Sequence, residues 1–147
     1  MDIAIVADDT KKELMAQFCI AYRPILARHH LYATQVTGKY IIDATGLDIE
    51  LLMQGSGGCE QILSRIAYDE IDLLFYFRGT DPLVEHTDHV DQDVLRLCDI
   101  RNIPFATNIA TAETLVMALD NGALDWREFI NPRSEYNRRR REQKTHA

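Results

Sequence analysis

Acidic, basic and hydroxyl side chains cluster directly after the first three apolar runs of the chain. Carboxylates can transfer protons, and hydroxyls, lysines and the exposed amides of glycine-rich turns can hold a phosphate group. The combination predicts a site that binds a phosphorylated molecule and has an acid or a base beside it. The residues concerned are Asp8, Asp9 and Lys12, then Thr34, Thr37 and Gly38, and finally the segment from Gly55 to Glu60. Polar residues also follow the fourth apolar run, Arg78–Asp81, and the fifth, Thr107, Asn108 and Thr111.

Each of these residues also has a purely structural interpretation. Aspartate is a preferred helix N-cap, so Asp8 and Asp9 are as well suited to capping as to catalysis. An acid near a helix start, such as Glu60, is stabilised by the helix dipole, and a lysine such as Lys12 is commonly a solvated surface residue. Most glycine clusters are simple turns. Residue types and spacing therefore lead to a phosphate-binding α/β domain with a candidate carboxylate, and they leave the reaction open.

Histidines and cysteines show no metal-site pattern. His86 and His89 lie in an acidic stretch, residues 81–93, but their spacing fits neither a tetrahedral zinc site nor a facial triad. A solvated loop is the better interpretation, and no metal is expected. The cysteines are odd in number and far apart, which is untypical of a disulfide framework and favours a reducing cytoplasm. They are Cys19, Cys59 and Cys98.

Short apolar runs alternate with amphipathic patterns along the chain. Five runs have the length and β-branched content of buried strands: residues 3–7, 31–34, 48–53, 71–77 and 103–107. The run at 71–77 is almost continuously apolar, which is typical of a parallel strand covered on both faces. Helical patterns fill the intervals, at residues 10–25, 38–44, 62–67, 90–98 and 112–119. The first of these begins with Thr10 and Glu13 at capping-box spacing.

Strands that alternate with helices predict an α/β fold with a parallel sheet. We expect a single three-layer α/β/α domain over residues 1–132, built on a doubly wound sheet of about five mainly parallel strands. In such a sheet, ligands bind where the carboxyl ends of the strands meet the helix N-termini. The polar residues named above all follow strands, so we expect the site at this edge of the sheet.

The net charge of −7 at pH 7 is unevenly distributed. Residues 133–147 contain six basic and two acidic residues, which makes a tail of +4 behind a body, residues 1–132, of −11. An acidic body argues against nucleic acid as a partner, because phosphate contacts dominate nucleic-acid affinity. No apolar run approaches the roughly 20 residues that cross a bilayer, which argues against a membrane protein.

Several blocks resemble, in order, the motifs of the methylglyoxal synthase family. Residues 3–12 (IAIVADDTKK) are similar to its first strand and A-H-D-x-x-K loop, and residues 31–38 (LYATQVTG) to its L-[YF]-A-T-G-T-T-G turn. Residues 54–61 (QGSGGCEQ) resemble its S-G-P-x-G-G-D-Q loop. Further matches are residues 44–46 (ATG), 95–99 (LRLCD), 103–112 (IPFATNIATA) and 121–127 (NGALDWR). Each block is weak alone, but their common order is specific, and together they span about residues 2–130.

This resemblance implies a function. The expected reaction converts dihydroxyacetone phosphate to methylglyoxal and inorganic phosphate, with a carboxylate base and an enediolate intermediate. The resemblance also implies a cytoplasmic homohexamer whose partners are this small phosphorylated substrate and inorganic phosphate, with no metal or organic cofactor. The same fold serves as an effector-sensing domain in carbamoyl phosphate synthetase, so a phosphate-binding regulatory module is the alternative.

The resemblance also assigns roles to residues. Glu60 stands at the position of the family's base aspartate, and Asp9 at that of a second aspartate near the reacting carbons. The positions that resemble substrate- or phosphate-binding positions of the family are Asp8, Lys12, Thr34, Thr37, Gly38, Gln54 and Gly55. In a hexamer, the basic tail could reach the phosphate site of a neighbouring subunit.

The sequence departs from the family motifs within the site. Asp8 replaces a histidine, Val36 a threonine and Gln54 a serine. Glu60 is one methylene longer than aspartate, which moves its carboxylate oxygens by roughly an ångström, a shift that can cost about 10²-fold in rate.

One family stretch, D-P-x4-P-H-x-x-D-V, has a different length here. Either His86 or His89 therefore corresponds to the family's electrophilic histidine, and either Asp88 or Asp91 to its carboxylate. His89 is the preferred choice as a catalytic residue, because it lies nearer the following helix.

Overall fold

Strands and helices alternate along the part of the chain that the computed structural model describes, residues 1–52, 56–83, 89–130 and 142–143. The strands are β1 (Asp2–Ala7), β2 (His30–Thr34), β3 (Ile49–Leu52), β4 (Leu73–Phe77) and β5 (Phe105–Ala106). The helices are α1 (Lys12–Ala21), α2 (Arg23–Leu26), α3 (Gln35–Thr45), α4 (Ser56–Ala67), α5 (His89–Arg101), α6 (Ile109–Asp120) and α7 (Arg127–Ile130). Within these ranges, no helix combines the length and the apolar character needed to cross a membrane.

The five strands form one sheet in the order β3-β2-β1-β4-β5, and every neighbouring pair is parallel. In the register of the central strand, Ile3 lies between Leu31 of β2 and Leu73 of β4. The chain winds outward from β1 to β3 and then returns to β4 on the other side of β1. This doubly wound order confirms the predicted fold class.

Each face of the sheet has its own apolar core, because alternate residues of a strand point to opposite faces. One core packs against α1, α3 and α6, and its members include Ile3, Ile5, Phe75, Phe18, Ile41 and Val116. The other packs against α4 and α5, and its members include Ala4, Tyr32, Leu74, Ile66 and Val94. Helices therefore cover both faces. This confirms the three-layer arrangement and explains why the run at 71–77 is almost continuously apolar.

The predicted first helix, residues 10–25, is divided in the structure. α1 ends at Ala21, Tyr22 has non-helical dihedral angles (φ −110°, ψ 20°), and α2 begins at Arg23. Pro24 is the physical cause, because proline lacks the N–H of a helical hydrogen bond and its ring clashes with the preceding turn. The prediction of one continuous helix is therefore wrong, although Tyr22 and Ile25 do pack against the core.

The capping box predicted at Thr10 and Glu13 is also wrong. The chain enters α1 through a 3-10 turn, Asp9–Lys11, whose N-cap is Asp8. The Asp8 carboxylate accepts hydrogen bonds from the backbone amide (3.1 Å) and the hydroxyl of Thr10. Lys11, which precedes α1, makes no side-chain capping hydrogen bond. Thr10 thus donates to the cap and is not itself the cap.

Other element boundaries shift by a few residues. α3 begins at Gln35, three residues before the predicted start. It ends at Thr45 and is capped by Gly46, which adopts the left-handed conformation (φ +71°) that glycine allows without a steric penalty. β5 comprises only Phe105–Ala106 of the predicted run 103–107.

A buried ion pair attaches α7 to the segment before β4. Arg127 and Asp72 are both fully buried, and Arg127 Nε lies 3.6 Å from Asp72 Oδ1. The guanidinium also donates to the backbone carbonyl oxygens of Ile71 (3.1 Å), Arg101 (3.3 Å) and Asn102 (3.4 Å). Burial lowers the pKa of Arg127 from its usual value, and the charge of Asp72 opposes that change. The C-terminal turn is therefore held by charge and backbone hydrogen bonds as well as by apolar packing.

Candidate functional site

The winding direction of the chain reverses between β1 and β4, and in open α/β sheets a ligand crevice forms at the carboxyl ends of the strands at such a point. The amide of Asp8, directly after β1, donates to the carbonyl oxygen of Phe77, the last residue of β4 (2.9 Å). Residues 8–12 therefore lie beside the segment that follows β4. The predicted site begins at this crevice.

Asp8 and Asp9 differ in what they do here. Asp8 is half-buried, and its carboxylate caps the 3-10 turn. Asp9 is exposed at the first position of that turn. The structural interpretation of Asp8 is confirmed, whereas Asp9 is exposed and its role beside the substrate stays a prediction.

Lys12 brings a positive charge to the same edge of the sheet. It is the first residue of α1 and is half-buried. Its Nζ lies 5.7 Å from the centroid of the Tyr40 ring in α3, within the range of a cation–π contact. The lysine thus connects the segment after β1 with the helix after β2.

The N-terminus of α3 supplies hydroxyls and backbone amides. Thr34 ends β2 and is the N-cap residue of α3, and its side chain makes no capping hydrogen bond. Thr37 lies in the first turn of α3 and is buried. First-turn amides of a helix attract anions, and Lys12 approaches the same helix through Tyr40. That this group holds a phosphate stays a prediction.

Gly38 has a packing role that the sequence did not indicate. A Cβ atom at Gly38 would overlap Leu51 Cδ2 and would lie 3.2 Å from Ala33 Cβ. The missing side chain lets α3 approach β2 and β3 closely. The glycine is therefore explained by helix–sheet packing, and phosphate binding through its backbone stays a prediction.

Glu60 belongs to the opposite face of the sheet. It is exposed in the second turn of α4, and α4 packs on the face that α1 and α3 do not cover. Because α4 follows β3 in the chain, its N-terminus also lies at the carboxyl edge of the sheet. Accessible carboxylates from both faces, Asp9 and Glu60, therefore belong to the same edge.

Several predicted site residues lie outside the described residues: Gln54, Gly55, His86 and Asp88. His89 is the first residue of α5, and its side chain and that of Asp91 also lie outside the description. The choice between His86 and His89 stays a prediction.

Arg78 belongs to the polar residues that the sequence places after strands, but it is not among the residues predicted to bind phosphate; in the structure it directly follows β4. It is exposed, and its amide lies 3.5 Å from the carbonyl oxygen of Thr107, which follows β5. A cation at this point of an acidic body is well suited to attract an anion. The sequence signal that could have identified Arg78 is its position directly after the most apolar strand, at the edge of the sheet where ligands bind.

Other features of the described structure lie away from the crevice. An open groove of about 590 Å³ beside β3 and α4 is lined by Glu50, Arg65 and Glu70, among others, and by none of the predicted site residues. Burial raises the pKa of both Cys19 and Cys98 to about 12, which keeps both thiols protonated at neutral pH. The described ranges contain no group of three or more histidine, cysteine, aspartate or glutamate side chains arranged to hold a metal ion.

Known proteins resemble this chain over nearly its whole length. Methylglyoxal synthase from Caldicellulosiruptor saccharolyticus is 52% identical over 140 residues, which are 94% of this chain and 98% of that protein. Methylglyoxal synthase from Clostridioides difficile is 47% identical over 137 residues, 92% of this chain and 98% of that protein.

A solved structure is similar as well. The crystal structure of methylglyoxal synthase from Elizabethkingia anophelis NUHP1 matches with a TM-score of 0.71 at 34% identity, covering 78% of this chain and 76% of that one. No protein-family model matches the chain. The identity to both relatives, over almost their full length, shows that the chain belongs to the methylglyoxal synthase family.

Proposed function

We propose that the chain eliminates phosphate from dihydroxyacetone phosphate to give methylglyoxal and inorganic phosphate. The observation that carries the proposal is the 52% identity to a methylglyoxal synthase over 94% of the chain. Further support comes from the crevice, where carboxylates, a lysine and the first-turn amides of α3 belong to one edge of the sheet.

The first step is the abstraction of a proton from carbon. Glu60 takes a proton from the hydroxymethyl carbon beside the carbonyl, and the electrons of the broken C–H bond move towards the carbonyl oxygen, which gives an enediolate. His89, or His86 in the alternative alignment, donates a hydrogen bond to this developing oxyanion. Asp9 lies near the reacting carbons and helps to orient them.

The second step breaks a carbon–oxygen bond. The hydroxyl on the carbon that lost its proton in the first step is itself deprotonated and becomes the aldehyde carbonyl. The carbon–carbon double bond of the enediolate shifts towards the phosphorylated carbon, and the bond from that carbon to the bridging oxygen breaks. Inorganic phosphate leaves with the bonding electrons. The remaining three-carbon enol takes up a proton on carbon and ketonises to methylglyoxal, so the atoms balance without water or another co-reactant.

The phosphate group is held at the α3 side of the crevice. The amino group of Lys12, the hydroxyls of Thr34 and Thr37, and the first-turn amides of α3 are the proposed donors. Asp8 shapes this region by capping the turn that leads to Lys12. The remaining proposed contacts with the substrate or its phosphate are Gly38, Gln54 and Gly55, with Arg78 as an additional cation.

Purified protein is expected to release methylglyoxal and inorganic phosphate from dihydroxyacetone phosphate in a one-to-one ratio. The measurement pairs a dicarbonyl assay with a phosphate assay at saturating substrate. Phosphate release without methylglyoxal would contradict the proposal, because it would indicate simple hydrolysis. A phosphorylated ligand that raises the melting temperature without being consumed would favour the regulatory module instead.

Replacing Lys12 with glutamine is expected to raise KM for the substrate by about 10- to 100-fold, since a hydrogen bond to a charged group contributes about 1.5–3 kcal/mol. The matched control is Lys39→Gln, which changes an exposed lysine farther along α3. Steady-state kinetics of both variants make the comparison. Equal KM values for the two would remove Lys12 from the phosphate site.

We also propose that the chain assembles as a cytoplasmic homohexamer, with residues 133–147 as a basic tail distinct from the domain at 1–132. Tyr68, Ile100 and Phe129 are large, exposed apolar side chains that an interface between subunits would bury. The buried free thiols of Cys19 and Cys98 are compatible with a reducing compartment. The mass of the assembly in solution distinguishes a hexamer from smaller species.

A further inference from the structure

His30 bridges two carboxylates at the amino edge of the sheet, far along the strands from the crevice. Its Nδ1 lies 3.1 Å from Asp2 Oδ1 in β1, and its Nε2 lies 2.9 Å from Glu50 Oε2 in β3. A neutral imidazole has one N–H and one acceptor nitrogen, whereas an imidazolium has two N–H donors. Only the protonated form of His30 can donate to both carboxylates at once.

We propose that the protonated His30, together with Asp2 and Glu50, forms a pH-sensitive bridge that fastens the edge strand β3 to the sheet. When His30 loses its proton, one of its nitrogens presents a lone pair to a carboxylate and that side of the bridge is lost. Loss of the bridge should weaken the attachment of β3 in particular, because β3 is short and pairs only with β2. This inference does not depend on the activity proposed above.

The charges that face the bridge favour the imidazolium. Asp2 is almost fully buried, and its amide donates to the buried carboxylate of Asp72 (2.9 Å), so a second acidic group lies nearby. On the other side, Arg65 lies 3.8 Å from Glu50, and its second partner is Glu70 (3.4 Å).

The Tyr32 ring completes the surroundings of His30. Its centroid lies 4.4 Å from the His30 ring and 4.4 Å from the Arg65 guanidinium carbon. The hydrogen bond to Asp2 raises the pKa of His30 above its usual value, burial opposes this change, and the charges of Asp2 and Glu50 reinforce it. The two groups that contact the His30 nitrogens directly are both carboxylates, Asp2 and Glu50. The charge of Asp72 is already paired with Arg127.

His29, the adjacent residue, is a matched comparison within the chain. Its Nδ1 lies 2.9 Å from the α-amino group of Met1, so this nitrogen accepts a hydrogen bond from the terminal ammonium group. The two neighbouring histidines therefore have opposite requirements: His29 needs an acceptor nitrogen, and His30 needs two donors. A variant of His29 controls for general effects of removing a histidine at this edge.

The sign of the pH effect follows from the raised pKa. A histidine whose folded-state pKa is raised stabilises the structure fully below its unfolded-state pKa, and the stabilisation is lost as pH rises through the folded-state pKa. The measured quantity is the protection of the β3 amides against hydrogen exchange, corrected for the intrinsic exchange rate. We expect this protection to fall about two- to fivefold as pH rises from roughly 5.5 to 9. A fold-change of this size corresponds to the energy of a partly exposed ion pair.

The experiment combines an NMR titration of His30 with hydrogen exchange of the β3 amides in four full-length proteins: wild type, His30→Gln, Glu50→Gln and His29→Gln. We expect a His30 midpoint above 6.5 in wild type and His29→Gln, and a lower midpoint in Glu50→Gln. The pH-dependent loss of β3 protection should persist in His29→Gln and disappear in His30→Gln.

The result that overturns the inference is a His30 midpoint at or below 6.5, or β3 protection with the same pH dependence in wild type and Glu50→Gln. Glu50→Gln keeps His30 and the size of the side chain, so it decides the matter even where His30→Gln does not fold.

Discussion

Replacing Glu60 with glutamine is expected to lower kcat/KM for the coupled release of methylglyoxal and phosphate by about 10²–10⁴-fold. Glutamine has nearly the same shape but cannot accept the proton from the substrate carbon, so the loss should appear in kcat. KM should change little, because Glu60 belongs to α4, whereas the main proposed phosphate donors lie in α1, at the end of β2 and in α3. Steady-state kinetics with both product assays measure the effect.

Two further variants make this test specific. Glu60→Asp keeps a carboxylate and restores the side-chain length of the family's aspartate, so it should retain far more activity than Glu60→Gln. Glu113→Gln changes an exposed glutamate on α6 and should leave kcat and KM unchanged. Equal activities for wild type and Glu60→Gln would exclude Glu60 as the base and move the search for it to Asp9 or to the segment around His89.

The architecture could be predicted because it depends on features that the sequence displays locally. The apolar run at 71–77 requires cover on both faces, and its alternation with amphipathic patterns selects a doubly wound sheet. The helix break was readable at Pro24, but the apolar stripe through Tyr22 and Ile25 outweighed it. The sequence also contained both candidates for the N-cap, Asp8 and Thr10. Which of them caps the turn depends on the backbone dihedral angles, and these cannot be derived from the spacing of residues along the chain.

The site could be predicted only in part, for a different reason. Lys12, Thr34 and Thr37 follow strands, and strand ends are the positions at which an α/β sheet binds ligands. Arg78 also follows a strand, but its proximity to residues 8–12 depends on the pairing of β1 with β4, in which the partners Ala7 and Phe77 are 70 residues apart in the chain. Long-range pairing of this kind leaves no local pattern, and the His30 bridge between β1 and β3 was missed for the same reason.

The fold shows at which edge of the sheet the charged groups of the molecule lie. A body of −11 repels a phosphorylated substrate, so binding requires local positive potential. Lys12, Arg78 and the N-terminus of α3 belong to the carboxyl edge, whereas the bridge of Asp2, His30 and Glu50 belongs to the amino edge. The two carboxylates that contact His30, those of Asp2 and Glu50, therefore lie away from the proposed substrate site.

Replacing Asp72 with asparagine is expected to destabilise the fold by about 3–5 kcal/mol, because it leaves the guanidinium of Arg127 buried without its counter-charge. Burial already lowers the pKa of Arg127, which shows that the surroundings disfavour its charge. The free energy of unfolding from urea titration, at one fixed protein concentration, measures the loss. Asp120→Asn is the matched control: it breaks the exposed pair between Asp120 and Arg28 (3.1 Å) and should cost at most about 1 kcal/mol.

The double variant Asp72→Asn/Arg127→Leu separates the buried charge from the loss of packing. If the unpaired guanidinium is the main cost, removing it as well should recover part of the stability that Asp72→Asn loses, so the two single effects will not add. Recovery should be incomplete, since leucine cannot replace the hydrogen bonds from Arg127 to the carbonyl oxygens of Ile71, Arg101 and Asn102. Additive losses would show instead that Asp72 acts mainly as the acceptor for the amide of Asp2 and that the buried ion pair contributes little.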